Sequence, residues 1–163
     1  MKTKMRAQVT VYMTVGIPGS GKTTWTEKNI SKSIVRIAID ELRRVEYGYF
    51  PQELDDKKEK LIWKNALDNA SLNILNHKDI LIDSMALTKE FRRRINSELE
   101  RLTGRTFRKI AIFLDTPLEV AISRNNGRSK RVLPETINEL SSFLEPPEIS
   151  GEFDDVITIS YKD

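Results

Sequence analysis

One short segment restricts the possible folds of this chain more than any other: the octapeptide Gly-Ile-Pro-Gly-Ser-Gly-Lys-Thr at residues 16–23. Residues 9–15, which precede it, alternate between apolar side chains and Thr or Tyr, a pattern typical of a β-strand. The residues that follow predict a helix from residue 21 or 22 to about residue 30. A tight glycine turn between a strand and a helix points backbone N–H groups inward. The segment therefore predicts a phosphate-binding loop.

Each position of the pattern G-x-x-x-x-G-K-[S/T] has a chemical reason. Glycine permits the unusual backbone dihedrals of the turn and leaves no side chain in the way of a phosphate. Lys22 is expected to reach the β- and γ-phosphates, and the Thr23 hydroxyl is expected to bind Mg²⁺. The sequence thus predicts a nucleoside triphosphate site. Its expected contact residues are Gly16, Pro18, Gly19, Ser20, Gly21, Lys22, Thr23 and Thr24.

The rest of the chain alternates between predicted strands and predicted helices. Further strands are expected at residues 34–39, 80–82, 110–114 and 156–159. Helices are expected at about residues 40–44 and 53–76. Thr88 is expected to cap a further helix, Thr116 to form a capping box with Glu119 at the start of the next, which has Pro117 in its first position, and Pro134 to open the last. Connections of this length join parallel strands and place helices on both faces of the sheet. The sequence therefore predicts an α/β fold with a five-stranded, mostly parallel sheet.

Acidic residues follow three of the predicted strands, at the edge where ligands of open α/β sheets bind. Asp40 is a candidate general base that orients an acceptor hydroxyl and takes its proton, or else the N-cap of a short helix. Arg43 lies three residues later, so the two side chains share a helix face. Asp83 is a candidate metal ligand or another N-cap, whereas Asp115 is expected to have a structural role.

The overall composition excludes several other kinds of site. The chain has 163 residues, about the length of one domain, and no window of about 18 apolar residues that would predict a membrane span. It has no Cys and a single His, His77, which excludes disulfides, cysteine–metal sites and multi-histidine zinc sites. The absence of Cys fits a reducing, cytoplasmic location, and no membrane partner is expected.

The formal net charge of +3 conceals an uneven distribution. Residues 89–131 contain 12 basic and 5 acidic side chains, whereas residues 132–155 contain 7 acidic side chains and no basic one. The basic segment either faces the phosphates of a nucleotide or nucleic acid, or forms a solvated helix face. Within it, residues 124–131 hold four cations and predict a flexible lid. One lid arginine would neutralise charge on a transferred phosphoryl group.

Two further groups of side chains are assigned to structure rather than to function. The Arg92-Arg93-Arg94 run is expected to lie on a solvated helix face, because three successive helical residues point in different directions. Tyr47, Tyr49 and Phe50 have neither helical nor strand spacing and are interpreted as a small hydrophobic cluster, with stacking on an acceptor base as the alternative.

Taken together, these residues resemble the kinase module of phage-type polynucleotide 5′-hydroxyl kinases. That family lies within the small P-loop kinases, which include seryl-tRNA kinase and zeta-toxin-like enzymes. The likeness spans nearly the whole chain and rests on three segments. They are the loop at residues 16–25, Asp-Glu-Leu-Arg at 40–43, and Arg-Asn-x-x-Arg at 124–128 followed by Val-Leu-Pro at 132–134. The resemblance implies a P-loop kinase fold, with one domain over residues 1–163 and a basic lid at about residues 118–134.

The resemblance also implies a role for each matching residue. Asp40 would act as the general base, and Arg43 would hold the phosphate next to the 5′-hydroxyl. Arg124 and Arg128 would contact the nucleotide, with Arg128 on the transferred phosphate and so in the catalytic set with Lys22 and Asp40. Asp83 matches the acid after the third strand, where it would serve both metal and substrate.

The sequence therefore predicts an ATP- and Mg²⁺-dependent kinase whose second partner is the 5′-hydroxyl end of DNA or RNA. Two departures from the family are the Met85 that replaces a frequent Asn and the lack of a D-x-D-x-T phosphatase motif. The alternative is a small-molecule kinase, zeta-toxin-like, that acts on a nucleoside, sugar or antibiotic. A third interpretation is a nucleotide-dependent switch or an ATPase without an acceptor.

Overall fold

The predicted strands form one sheet in the computed structural model, which describes residues 7–48, 55–129 and 131–162. In chain order they are β1 (Thr10–Val15), β2 (Val35–Ala38), β3 (Ile80–Asp83), β4 (Arg108–Asp115) and β5 (Asp155–Ser160). Their order across the sheet is β2-β3-β1-β4-β5, and every neighbouring pair is parallel. The α/β prediction is confirmed. The sheet is parallel throughout. Each connection contains a helix that carries the chain from the carboxyl end of one strand back to the amino-end edge, where the next strand begins.

Helices cover both faces of this sheet. They are α1 (Lys22–Asn29), α2 (Ile39–Tyr47), α3 (Asp56–Leu75), α4 (Lys89–Thr103), α5 (Leu118–Asn126) and α6 (Pro134–Ser142). Ile62 of α3 and Leu99 of α4 are buried in the main core on one face, whereas Trp25 of α1 packs on the other. Among the described residues, no helix combines the length and the apolarity needed to cross a lipid bilayer.

A separate apolar cluster fixes the glycine loop to the last two helices. Ile17 of the loop is buried together with Leu87, Ala121 of α5 and Ile137 of α6. Residues that leave water in this way contribute about 1.5–3 kcal/mol each when large and fully buried. The loop is therefore held against the body of the protein by packing as well as by its connection to β1.

The second helix begins earlier than the sequence predicts. Asp40 is not its N-cap: Ala38 holds that position, no side chain caps the helix, and α2 continues to Tyr47 rather than ending at Arg44. The reason is that Ile39 is fully buried, so the chain turns into the helix directly at the end of β2. The Asp40 carboxylate is consequently not engaged in capping.

Of the two other predicted helix starts that involve a threonine, one is confirmed and one is wrong. Thr88 caps α4, since its hydroxyl oxygen accepts from the backbone N–H of Phe91 at 3.2 Å. Thr116 does not form a capping box, because Pro117 is the N-cap of α5. Its hydroxyl instead donates to the carbonyl oxygen of Ser20 at 3.0 Å, which ties the end of β4 to the glycine loop.

The prediction of a solvated face for Arg92, Arg93 and Arg94 is wrong for the first of them. Arg93 and Arg94 are exposed, but Arg92 is fully buried. Its guanidinium forms an ion pair with the equally buried Glu152 and donates to the carbonyl oxygens of Ala86, Leu87 and Glu145 at 2.9–3.0 Å. A cation inside the protein needs such partners. Arg92 thereby holds the segment before β5 against α4.

We expect Glu152→Ala to lower the free energy of unfolding by about 3–5 kcal/mol, because it leaves the buried Arg92 charge without its partner. Urea denaturation measures this difference as a lower midpoint at an unchanged slope. The matched control is Glu148→Ala, which removes the exposed partner of Lys89 and should move the midpoint little. Equal midpoints for the two variants would contradict the structural role of the buried pair.

Candidate active site

Three predicted site segments meet at the carboxyl edge of the sheet. The glycine loop follows β1, Asp40 follows β2, and Asp83 ends β3. The backbone register places Ala38 of β2 directly beside Asp83, and β1 is the other neighbour of β3. Because parallel strands end at the same edge, residues far apart in the chain lie together at that edge of the sheet.

The glycine loop has a backbone that only glycine adopts easily. Gly19 has φ +81° and Gly21 has φ +97°, both in the left-handed region. A β-carbon on Gly19 would lie 2.3 Å from the carbonyl oxygen of Ala121, so a side chain there would collide with α5. The two glycines are thus required by conformation, and Gly19 also by space.

The loop presents a donor set that suits a phosphate. Helix α1 begins at Lys22 after Gly21, no side chain caps it, and its first N–H groups have no partner within the helix. The Lys22 ammonium lies across the loop and donates to the carbonyl oxygens of Gly16 at 2.8 Å and Ile17 at 2.9 Å. Backbone N–H groups, a helix N-terminus and an ammonium together make an anion site.

The electrostatics of Lys22 connect the predicted site residues with one another. Burial lowers the pKa of Lys22 from its ordinary value of 10.5 to about 8. The carboxylates of Asp83 and Asp40 raise this pKa, and the guanidinium of Arg128 lowers it. Interactions of this kind require proximity in a partly desolvated site. Asp40, Asp83 and Arg128 therefore each lie within electrostatic reach of Lys22.

Asp83 is a buried carboxylate held by two neighbours. Arg36 of β2 donates to its Oδ2 from Nε at 2.9 Å and from Nη2 at 2.6 Å. The Thr14 hydroxyl lies 3.2 Å from its Oδ1. Since Thr88 caps the next helix, the N-cap alternative for Asp83 is wrong. Sequence reasoning missed Arg36, although a lone cation inside an apolar strand run is a usable signal.

Thr23 and Asp83 are the residues that fit a Mg²⁺ ion. Thr23 is exposed at the start of α1, and among the described residues Oδ1 of Asp83 accepts only the 3.2 Å contact from Thr14. The described residues contain no group of three acidic or histidine side chains that could enclose a metal. Mg²⁺ suits such a site, because it keeps several waters and is bound by one or two protein groups together with nucleotide phosphates.

Asp40 is the exposed carboxylate of the candidate site. Its side chain is 90% exposed, and its Oδ1 accepts from Nη1 of Arg43 at 2.5 Å. Its other carboxylate oxygen, Oδ2, makes no hydrogen bond to the described part of the chain. The predicted pairing of Asp40 and Arg43 on one helix face is therefore present. Among the described residues, Oδ2 of Asp40 neither caps the helix nor pairs with a cation.

The remaining side of Arg43 is held by a residue that sequence reasoning missed. Nε of Arg43 donates to Oε2 of Glu59 on α3 at 3.0 Å, and Nη2 donates to Oε1 of the same carboxylate. The indole N–H of Trp63 also donates to that Oε1, at 3.2 Å. Hydrogen bonding from Arg43 lowers the pKa of Glu59. Nothing local in the sequence around residue 59 indicates a partner sixteen residues away.

The predicted lid arginines lie on the other side of the loop. Arg124 donates from Nη1 to the carbonyl oxygen of Ser20 and from Nη2 to that of Tyr161, both at 3.3 Å. Arg128 is exposed and acts on Lys22 through its charge. Arg124 thus touches the glycine loop directly, whereas Arg128 reaches it at longer range.

The side chain of Asn125 links the two sides of the segment that the sequence predicts to be a lid. It is fully buried, donates from Nδ2 to the carbonyl oxygen of Val132 at 2.6 Å, and accepts at Oδ1 from the N–H of Val132 at 3.0 Å. These two bonds hold the end of α5 to the start of the segment before α6.

Some predicted residues are peripheral or fall outside the description. Thr24 is exposed on α1, Pro18 is half-buried in the loop, and Asp115 is exposed at the end of β4. Tyr47 lies beside Lys58, whose ammonium is 5.5 Å from the ring centre. Tyr49 and Phe50 lie outside the described residues.

The fold and the sequence both resemble known proteins. A family model described as an AAA domain matches residues 11–147. No curated protein sequence matches the chain significantly. A chain of the Pnkp1/Rnl/Hen1 RNA repair complex superposes with a TM-score of 0.70 at 20% identity, over 88% of this chain and 46% of that one.

Two further structures are similar over almost the whole chain. A fungal RNA kinase has a TM-score of 0.68 at 18% identity, over 94% of this chain and 38% of that one. A sugar kinase from Janibacter sp. HTCC2649 has a TM-score of 0.66 at 18% identity, over 96% and 87%. The chain thus spans less than half the length of the RNA repair chain and of the fungal RNA kinase.

At these identities the structural likeness establishes the fold and nothing further about activity. The parallel sheet, the glycine loop between β1 and α1, and the structural neighbours agree on that fold. The family match covers most of the chain. The chain therefore belongs to this AAA-domain family and has the P-loop kinase fold.

Proposed function

We propose that the chain is an ATP-dependent polynucleotide 5′-hydroxyl kinase, which transfers the γ-phosphate of ATP to the 5′-hydroxyl of DNA or RNA. The observation that carries this proposal is the Asp40–Arg43 pair, which lies within electrostatic reach of Lys22 on the glycine loop. In this reaction a bond forms between the acceptor oxygen and the γ-phosphorus. The bond from that phosphorus to the oxygen of ADP breaks, and the acceptor proton goes to a base.

Asp40 is the base in this proposal. An acceptor hydroxyl must reach a carboxylate oxygen within about 2.6–3.2 Å to lose its proton during transfer. The exposed carboxylate of Asp40 offers Oδ2 for this contact, while Arg43 holds Oδ1. Arg43 thereby orients the carboxylate so that one oxygen stays available to the acceptor.

Arg43 is the acceptor-binding cation. Of its five N–H groups, one on Nε, one on Nη1 and one on Nη2 are used by Glu59 and Asp40. One N–H on Nη1 and one on Nη2 remain for the phosphate next to the 5′-hydroxyl. Asp83, on the neighbouring strand, would border the same acceptor.

The donor side is assigned to the loop and the lid. Residues 16–24 would surround the triphosphate, with Lys22 on its β- and γ-phosphates. Thr23 and Asp83 would hold Mg²⁺, which supplies positive charge to the phosphates when bound. Arg124 and Arg128 would contact the nucleotide, and Arg128 would neutralise charge on the phosphoryl group in transit. Residues 1–163 would then act as one kinase domain.

A small-molecule kinase is the second candidate, for two specific reasons. Arg43 already faces two carboxylates, which limits its attraction for a further anion. The similar sugar kinase also matches this chain over 87% of its own length, unlike the RNA kinase structures. A nucleoside or sugar acceptor would need Asp40 as base but no phosphate contact from Arg43.

Transfer of labelled phosphate from γ-labelled ATP to 5′-hydroxyl DNA, 5′-hydroxyl RNA, nucleosides and sugars tests the proposal. We expect transfer to a polynucleotide. We also expect Asp40→Asn to lower turnover by about 10²–10⁴-fold with little change in ATP affinity, since it removes only the base. Glu41→Gln, at the next position on the same helix, is the control and should leave turnover unchanged. ATP hydrolysis that needs no acceptor and has the same rate in the Asp40→Asn variant would contradict the kinase assignment.

Arg43→Ala should reduce kcat/KM about 10- to 100-fold more for 5′-hydroxyl oligonucleotides than for nucleosides, because a hydrogen bond to a charged group contributes about 1.5–3 kcal/mol. Steady-state kinetics with both acceptors at several salt concentrations measure this. Oligonucleotide affinity of the unaltered protein should fall steeply with salt. Equal losses for both acceptors would refute a phosphate contact by Arg43.

ATP binding should take up a proton at pH values above about 8. The free protein holds the pKa of Lys22 near 8, and triphosphate bound beside the ammonium must raise that pKa. The affinity for ATP therefore falls as the pH rises through this value. Calorimetry in two buffers with different ionisation enthalpies measures the uptake. Lys22→Arg, which stays charged, should abolish it; the same uptake in that variant would assign the proton to another group.

A further inference from the structure

Glu59 lies outside every motif that the sequence analysis identifies, yet it makes the most extensive contact with the proposed acceptor arginine. We propose that Glu59 is a positioning residue for acceptor recognition, which orients the Arg43 guanidinium and is itself fixed by Trp63. This inference rests on the proposed function, in that it assigns to Arg43 the contact with the acceptor.

The geometry of the guanidinium supports this role. Its five N–H groups lie in one plane, so two parallel bonds to a carboxylate fix both the plane and its rotation. Glu59 takes Nε and Nη2, and the opposite corner, Nη1, then lies 2.5 Å from Oδ1 of Asp40. The Arg43 side chain is only 17% exposed, which leaves it little freedom to find another arrangement.

Glu59 is in turn held by the core of the protein. Trp63 lies one helical turn later on α3 and donates its indole N–H to Oε1 of Glu59 at 3.2 Å. The Trp63 ring packs edge-on against Phe91 of α4, with 5.0 Å between ring centres and 77° between planes. An unbroken series of contacts therefore runs from the core through Trp63, Glu59 and Arg43 to Asp40.

This ion pair differs from the exposed ion pairs that lie within a single helix. Glu41–Arg44, Lys64–Asp68 and Glu98–Arg101 each join residues three or four apart on one exposed helix face. The Glu59–Arg43 pair joins two helices and ends at the candidate base. Two-bond geometry is shared with Glu41–Arg44 and Glu98–Arg101, so it does not set this pair apart. What sets it apart is the indole contact from Trp63 and the bond that continues from Nη1 of Arg43 to Asp40.

A double-mutant cycle tests the proposal. We expect Glu59→Ala to raise KM for the acceptor about tenfold and to leave KM for ATP unchanged. Added to Arg43→Ala, it should bring less than about a twofold further loss of acceptor kcat/KM, because residues that act through one another are not additive. Glu98→Ala, which removes the partner of the exposed Arg101, is the matched control and should change neither constant.

Two milder variants keep the test valid if Glu59→Ala folds poorly. Trp63→Phe keeps an aromatic ring but removes the indole N–H, and should raise acceptor KM about two- to fivefold. Glu59→Gln keeps one oxygen for Arg43, and its effect should lie between those of Trp63→Phe and Glu59→Ala. Urea denaturation of each variant separates a loss of folding from a loss of acceptor affinity.

The outcomes distinguish this inference from the proposed function. If the protein phosphorylates only a nucleoside or sugar, the polynucleotide proposal fails. Because Arg43 also orients Asp40, the same cycle read out as kcat on that acceptor then still decides whether Glu59 acts through Arg43. Additive losses for Glu59→Ala and Arg43→Ala, or lower stability with an unchanged acceptor KM, would overturn the positioning role. Transfer to no acceptor at all would overturn both.

Discussion

Parallel pairing of all five strands is the constraint on which the candidate site depends. Neighbouring strands that run in the same direction end at the same edge, so the segments after β1, β2 and β3 meet there without any local sequence relation. Strand β3 lies between β2 and β1, and Asp83 at its end stands between Asp40 and the glycine loop. The site is thus a consequence of strand order, and the loops only complete it.

The charges at this edge are arranged in pairs that cross between elements. Asp83 pairs with Arg36 from the adjacent strand, and Glu59 and Asp40 pair with Arg43 from two directions. Partly buried ion pairs add little net stability, since desolvation offsets most of the attraction. Their main effect is to fix where each side chain points. Lys22 is a different case. Its loss of hydration lowers its pKa more than the nearby carboxylates of Asp83 and Asp40 raise it, so the pKa stays below its ordinary value.

The part of this structure that could be predicted from the sequence is the part with local signals. The alternation before Gly16, the glycine pattern and the Thr88 cap are each contained within a few residues, and each predicts the element that is observed. The sequence places Asp40 at the carboxyl edge but predicts the wrong start for its helix, because the burial of Ile39 depends on the folded core.

What could not be predicted depends on contacts between distant segments. Glu59 and Arg43 are sixteen residues apart, Arg36 and Asp83 forty-seven, and Arg92 and Glu152 sixty. A charged side chain on an amphipathic helix is usually solvated, so Arg92 gives no local sign of its burial. Pairings of this type become visible only once the sheet has brought their elements together.

The tight approach of Gly19 to Ala121 has a mechanical consequence. There is no room for even a methyl group between the glycine loop and the first half of α5, and Ile17 and Ala121 share one buried cluster. The loop and that half-helix are therefore packed with no space to shift against each other. Any swing that brings Arg128 closer to the loop must bend the chain beyond Ala121. A closing motion hinged at that point leaves undisturbed the backbone that would grip the phosphates.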